Sequence, residues 1–212
     1  MAEPKAQPGW MVVDHFIPGC TEEMIGWWWV NMEKGYELWC PDEHKGFVWE
    51  VPPPLNGHVG AIQIAKESID YGAVMDLRIE WMDPNTATDE IKDWLVYKNV
   101  LCAGGSPAFL KIPRKINLTH QWEAVPGGCK MRSTMHGMGG PPPGVKLPPP
   151  PPHPSGKKPS GGGWIAHNIS EVGTFKNFLP ALWGIWQTVP DPAINRKSNF
   201  VLKKDGSRLY YD

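Results

Sequence analysis

Trp164-Ile165-Ala166-His167-Asn168-Ile169-Ser170-Glu171-Val172-Gly173-Thr174-Phe175-Lys176-Asn177-Phe178-Leu179-Pro180-Ala181-Leu182 is the stretch that decides the fold. His167, Glu171, Phe175, Phe178 and Leu182 recur near helical spacing, so one face carries bulky apolar groups together with an imidazole and a carboxylate. Pro180 falls inside this run and is expected to kink or divide it. Pro190 and Pro192 end it, and the tail from about residue 190 to Asp212 reads as polar with a few aromatics.

Upstream of that helix, residues 139–163 change character: Gly139-Gly140-Pro141-Pro142-Pro143, five prolines after Leu147, Lys157-Lys158-Pro159, then three glycines. Such a tract cannot pack a core and is expected to be a mobile insertion with polyproline II stretches. Before it lie strand candidates at Val59 to Ile69, Ala73 to Trp81, Trp94 to Cys102, Ala108 to Ile112, Ile116 to Ala124 and Cys129 to Met135. Ile62, Ile64, Leu77 and Ile79 alternate with small or polar residues, as half-buried strands do. Val12 to Ile17 is a further short strand, and Thr88 to Trp94 a helical turn. Thr21, followed by Glu22 and Glu23, signals the start of a helix running to about Met32. Tyr36 to Trp39 is short and apolar, and Pro41 opens a loop carrying His44. The sum is an α+β chain of mostly antiparallel strands in which a curved sheet wraps a long C-terminal helix.

A chain of 212 residues fits one domain, here 1–212 with the insertion and tail as appendages. The net charge of −1 gives no electrostatic case for nucleic acid or an anionic membrane. No apolar stretch reaches the ~18–20 residues of a membrane span, and Met1 to Lys5 lacks a signal-peptide run, so a cytoplasmic protein is expected. Cys20, Cys40, Cys102 and Cys129 stand apart without a CxxC pair, which argues against a zinc ribbon or a disulfide framework. Twelve tryptophans imply either a bulky core or a cavity for a flat ligand.

His167 and Glu171, four apart, leave one helix face with about 5–6 Å between Cβ atoms. An imidazole and a carboxylate so placed can share a divalent cation, although the same pair also occurs on ordinary solvated faces. The apolar company of Trp164, Ile165, Phe175 and Phe178 favours the metal reading, because an unpaired buried carboxylate is costly. A catalytic zinc needs a third protein ligand, for which His44, in Trp39-Cys40-Pro41-Asp42-Glu43-His44, is the candidate. Glu67, within Ile64-Ala65-Lys66-Glu67-Ser68, is either an outward-facing solvated charge or an inward-facing ligand.

These residues sit in a longer pattern. Pro18-Gly19-Cys20-Thr21-Glu22-Glu23-Met24, Trp27-Trp28-Trp29, Tyr36-Glu37-Leu38-Trp39 and His44 come first. Leu77-Arg78-Ile79-Glu80-Trp81 with Asp83-Pro84, His120-Gln121-Trp122, Gly128-Cys129-Lys130-Met131-Arg132-Ser133 and His167 to Glu171 with Phe178-Leu179-Pro180 follow in order. The combination resembles the diacetylphloroglucinol and phloretin hydrolase family over roughly residues 14–185. The resemblance implies a helix-grip fold of the START and Bet v1-like kind with an internal cavity. It also implies a zinc-dependent C–C bond hydrolase whose metal is held by His44, Glu67, His167 and Glu171, with Tyr36 and His120 as cavity groups. The chain departs from the family at Cys40, where histidine is frequent, at Phe47, where a polar residue is usual, and at Met135-His136, in place of an aromatic pair.

The implied chemistry is retro-Claisen cleavage of an acyl group from a polyhydroxylated aromatic ring, giving a phenol and a carboxylic acid. Bound Zn2+ supplies the nucleophile at neutral pH, and a general acid protonates the ring carbon. Tyr36 and His120 are the candidates for that acid, with His136 a further one. Two other readings stay open. One is a non-hydrolytic cyclase or isomerase of a polyketide- or terpenoid-like intermediate in the same cavity. The other is a non-catalytic small-molecule carrier or Pro-rich adaptor. In each, the partner is a small aromatic or polyketide-like molecule, with no nucleic acid or membrane partner, and a homodimer is compatible with it.

Overall fold

The computed structural model describes residues 9–55, 57–109, 115–136, 153, 155–158 and 160–212. Seven strands, β1 (Trp10–Pro18), β2 (His44–Val51), β3 (Ile62–Glu67), β4 (Met75–Trp81), β5 (Asn99–Pro107), β6 (Leu118–Val125) and β7 (Gly128–His136), form one sheet. Its order is β1-β7-β6-β5-β4-β3-β2, with every neighbouring pair antiparallel. Strands β2 to β7 therefore meander, while β1 returns beside β7 at the opposite edge from β2. The chain passes from one edge to the other through α1 (Glu22–Val30) and α2 (Tyr36–Trp39). A short α3 (Asp89–Trp94) precedes β5, and α4 (Gly163–Trp186) is the long C-terminal helix. The chain is thus α+β, a large antiparallel sheet with a C-terminal helix.

Thr21 caps α1 by accepting the Met24 N–H at 3.2 Å, and Glu22 and Glu23 occupy the first turn. The helix ends at Val30, and a 3-10 turn over Met32–Lys34 replaces the last turn expected from the sequence. Trp28, Trp29 and Val30 join Val172, Phe175 and Leu179 of α4 and Leu77, Trp81, Leu101 and Trp122 of the sheet in one buried cluster. On the other face of β5, Val100 and Cys102 pack against Ala87, Ile91 and Ile116. Strand β5 is thereby buried along its whole length, despite the low strand propensity of Gly104-Gly105.

Several expectations need correction. His44 is the first residue of a strand, not part of a loop, and β2 as a whole escaped the period-2 test. Register shifts between His44 and Gly46 and between Trp49 and Val51 interrupt its alternation, which removes the signal. Strand β3 faces the opposite way from its isoleucines: Gln63, Ala65 and Glu67 point inward, while Ile62 and Ile64 are half-buried on the outer face. The register explains this, since Ala65 lies opposite Leu77 and Gln63 opposite Ile79, and both partners are buried. Strand β5 starts at Asn99, because Trp94 closes α3. Pro180 does not divide α4, which is a single helix from Gly163 to Trp186.

The tail is packed rather than merely polar. Its strands β8 (Leu202–Asp205) and β9 (Arg208–Tyr211) form a hairpin, and Phe200 and Leu209 are buried. The expected strand at 108–112 lies partly outside the described residues, and β5 ends at Pro107 with Ala108 and Phe109 in a turn. Residues 139–152, 154 and 159 of the Pro/Gly-rich tract also lie outside them. The described remainder is anchored: Lys157 Nζ bonds Asp42 and, at 3.2 Å, the Tyr71 hydroxyl. No described helix is long and apolar enough to cross a membrane.

Candidate metal centre

His44 opens β2 and Glu67 closes β3, and the register sets the two opposite each other at one end of the sheet. The first turns of α4 cross that end and contribute His167 and Glu171. All four side chains are buried, and their donor atoms converge. His44 Nε2 lies 3.9 Å from Glu67 Oε1 and 3.6 Å from Glu171 Oε2. His167 Nε2 lies 3.6 Å from Glu67 Oε2 and 3.6 Å from Glu171 Oε2. The four residues singled out in the sequence are therefore brought together.

Each of the four side chains is held from behind. His44 Nδ1 donates to the Tyr36 carbonyl at 2.9 Å, which leaves the Nε2 lone pair facing the carboxylates. That Nε2 is fully buried and has no hydrogen-bond partner. His167 Nδ1 donates to Glu43 Oε2 at 2.7 Å, again turning Nε2 inward. Asn168 donates to Glu171 Oε1 at 2.8 Å and, through its own oxygen, meets His15 Nε2 at 2.8 Å. Tyr36 donates its hydroxyl proton to Glu67 Oε1, and its ring stacks on His44 at 4.1 Å between centroids.

The electrostatics follow from that crowding. Burial works against charge on His167, but Glu171 and Glu43 beside it raise its pKa to about 9. Burial also disfavours the Glu171 carboxylate, yet His167 and His44 hold it down to about 2. Burial and the neighbouring Glu67 push the Tyr36 phenol well above its usual value, so it keeps its proton. Two inward imidazole nitrogens and two carboxylates around one buried point suit a small divalent cation, which would take the place of a proton on His167 and supply the partner that His44 Nε2 lacks.

A second donor set overlaps this one. Cys40, His44 and His167 offer ligand atoms all within 4.8 Å of one another. Burial pushes the Cys40 thiol up to about 12, and it contacts Ser170 Oγ at 3.7 Å. The two sets share their histidines and differ in whether the Cys40 thiol or the carboxylates complete them, and a bound cation would itself deprotonate the thiol.

Beside these four side chains a cavity opens between α4 and the sheet, walled by Trp29, Trp39, Trp81, Trp164, Leu101 and Met135. Its free volume is about 50 Å³, well below the roughly 150 Å³ of a cavity that admits benzene. His120 lines it from β6, stacked on Trp29 at 4.7 Å with Nδ1 2.9 Å from Ser133 Oγ. Burial lowers the His120 pKa to about 4, so the ring is neutral at physiological pH. His136 does not belong here. It ends β7 on the exposed surface, stacked on Trp10 at 5.1 Å.

Sequence reasoning missed Glu43, Asn168, His15 and Asp70. Glu43 and Asn168 each adjoin a predicted ligand, which is the one local signal they carry. Asp70 donates its backbone N–H to Glu43 Oε2 at 2.7 Å, and its carboxylate accepts the N–H groups of Ser160, Gly161 and Gly163 at 2.9–3.0 Å.

A protein family described as "DAPG hydrolase PhiG domain" matches residues 6–184. No curated protein sequence matches the chain. Among solved structures, an uncharacterised protein from Rhizobium leguminosarum is similar at 13% identity and a TM-score of 0.45, covering 81% of this chain and 94% of that one. Ara h 8.0201 is similar at 14% identity and 0.41, covering 83% and 95%. A protein from Nitrosomonas europaea is similar at 11% identity and 0.41, covering 84% and 98%.

Proposed function

The chain belongs to the DAPG hydrolase PhiG domain family, and from that premise we propose that it is a zinc-dependent hydrolase that cleaves the C–C bond between an acyl group and a polyhydroxylated aromatic ring. The observation that carries the metal is the buried, unpartnered His44 Nε2 directed at Glu67 and Glu171. His44, Glu67, His167 and Glu171 would hold the ion, on a helix-grip frame of the START-like kind. Zinc bound there supplies a Lewis acid for a substrate carbonyl and a hydroxide-strength nucleophile from water at neutral pH.

The chain's own residues do the rest. Trp29, Trp39 and Trp164 exclude bulk water and offer flat apolar walls to a ring. The cavity must widen to admit that ring, and Met32 and Met135 on its wall are the side chains most able to give way. Addition of hydroxide to the carbonyl carbon gives a tetrahedral centre. Its collapse sends the electron pair of the aryl–carbon bond into the ring, where an adjacent hydroxyl in its keto form accepts it as an enolate. The ring carbon then takes a proton, leaving a phenol and a carboxylic acid. Tyr36 keeps its phenolic proton and sits on the cavity wall against Glu67, so it is our choice for the acid. His120, neutral and stacked on Trp29, would orient a ring oxygen rather than carry charge.

The test is zinc content together with turnover of an acylphloroglucinol. We expect about one zinc per chain, lost in Glu171→Ala, and products that have gained one water. A protein that takes up no zinc, or a product of unchanged mass, defeats this reading.

A further inference from the structure

Gln63 is the one amide among the described residues of the cavity wall, and it stands there among Leu77, Ile79, Leu101 and Ala103. It is 4% exposed. Its oxygen accepts the indole N–H of Trp81 at 3.1 Å. Indole nitrogen is a donor only, so this contact fixes which way the amide is turned. Oε1 is spent on Trp81, so Nε2 is the Gln63 group left to serve a ligand in the cavity that this residue lines. Among the described residues no acceptor for that nitrogen is seen, and its residue is part of the cavity wall. An amide donor in apolar surroundings is costly without a partner, and a ligand in the widened cavity would supply the missing one.

The strand sets the distance. Gln63 and Glu67 lie on the same inward face of β3, four residues apart, which is about 13 Å along the strand. A carbonyl held at the Glu67 end, an aryl ring and a hydrogen bond at the Gln63 end together add up to about that length. We propose that Gln63 determines specificity at the far end of this cavity, donating an N–H to an oxygen on the ring opposite the acyl group. The proposal rests on the reading of the site as an aryl-ketone hydrolase. It goes beyond that reading by naming which ring position is recognised and by which atom. The ligand it selects has an oxygen acceptor para to the acyl carbon, as hydroxyl, keto or phenolate.

The test compares two ketones, 2,4,6-trihydroxyphenyl and 2,6-dihydroxyphenyl, which both keep the ortho hydroxyl that cleavage requires. Removing the para oxygen also changes ring electronics, so the informative quantity is the change in preference between proteins. We expect the wild-type preference for the trihydroxy ketone in kcat/KM to fall roughly 10- to 100-fold in Gln63→Leu. Gln63→Met removes the cavity donor while keeping an unbranched side chain of similar length, so it should lose the same preference while retaining the wild-type fold. The same ratio is read from Kd by tryptophan fluorescence in protein stripped of zinc. If neither ketone is cleaved but the binding preference still depends on Gln63, the hydrolase reading falls and the recognition stands. An undiminished preference in both folded variants overturns the proposal.

Discussion

Glu43 accepts from His167 Nδ1 at 2.7 Å through the same oxygen that takes the backbone N–H of Asp70 at 2.7 Å. A carboxylate behind a metal-facing imidazole fixes its tautomer and raises its basicity. Here that carboxylate is in turn clamped by a turn of the chain. Glu43→Gln should therefore weaken zinc binding by roughly 10- to 100-fold, measured by competition with a chromophoric chelator. An unchanged affinity would show that His167 needs no charged partner.

Asp70 and the following Tyr71 adopt φ of 50° and 56°, a left-handed conformation uncommon outside glycine. The Asp70 carboxylate holds three backbone N–H groups where the insertion leads into α4, so the strained turn anchors the helix that carries two ligands. Asp70→Ala should cost roughly 1–3 kcal/mol in urea unfolding, because it removes that acceptor. Asp70→Gly removes the acceptor as well but relieves the strain, and should cost measurably less. Equal losses in the two variants would mean that the backbone conformation carries no penalty.

The two donor sets make opposite forecasts. If the carboxylates complete the site, Cys40→Ser leaves about one zinc per chain, while Glu171→Gln loses most of it. Metal analysis of both variants after identical preparation decides the matter. Zinc lost from Cys40→Ser and kept in Glu171→Gln would assign the ion to Cys40, His44 and His167 instead.

The helix bearing His167 and Glu171 was legible because its signal is local: His167, Glu171, Phe175 and Leu179 recur at helical spacing on its buried face. His44 could be singled out, but its strand could not, since two register shifts scramble the alternation. Glu67 stayed ambiguous for a different reason. Ile62 and Ile64 advertise the wrong face, and only pairing with Leu77 and Ile79 turns the acidic residue inward. The contacts of Glu43 were beyond reach in principle. Glu43 meets His167 across 124 positions and Asp70 across 27, and no periodicity encodes contacts of that kind.

The last prediction concerns acid. His58 is 2% exposed, stacked on Phe200 at 4.1 Å, with Nδ1 2.9 Å from Ser198 Oγ. It thereby pins the C-terminal segment to the stretch before β3. Burial lowers its pKa from 6.5 to about 3. The folded pKa lies below the unfolded one, so the neutral ring's contribution is complete above pH 6.5 and declines as pH falls toward 3. The full loss is at most about 4–5 kcal/mol. Between pH 6.5 and 4.5 most carboxylates remain ionised, which makes that interval diagnostic. Other histidines titrate there too, so the comparison is between wild type and His58→Phe, which keeps an apolar ring against Phe200 and removes the proton site. Wild-type stability should fall more steeply than that of the variant across the interval in urea titrations. Parallel curves would mean that His58 takes up a proton as readily folded as unfolded.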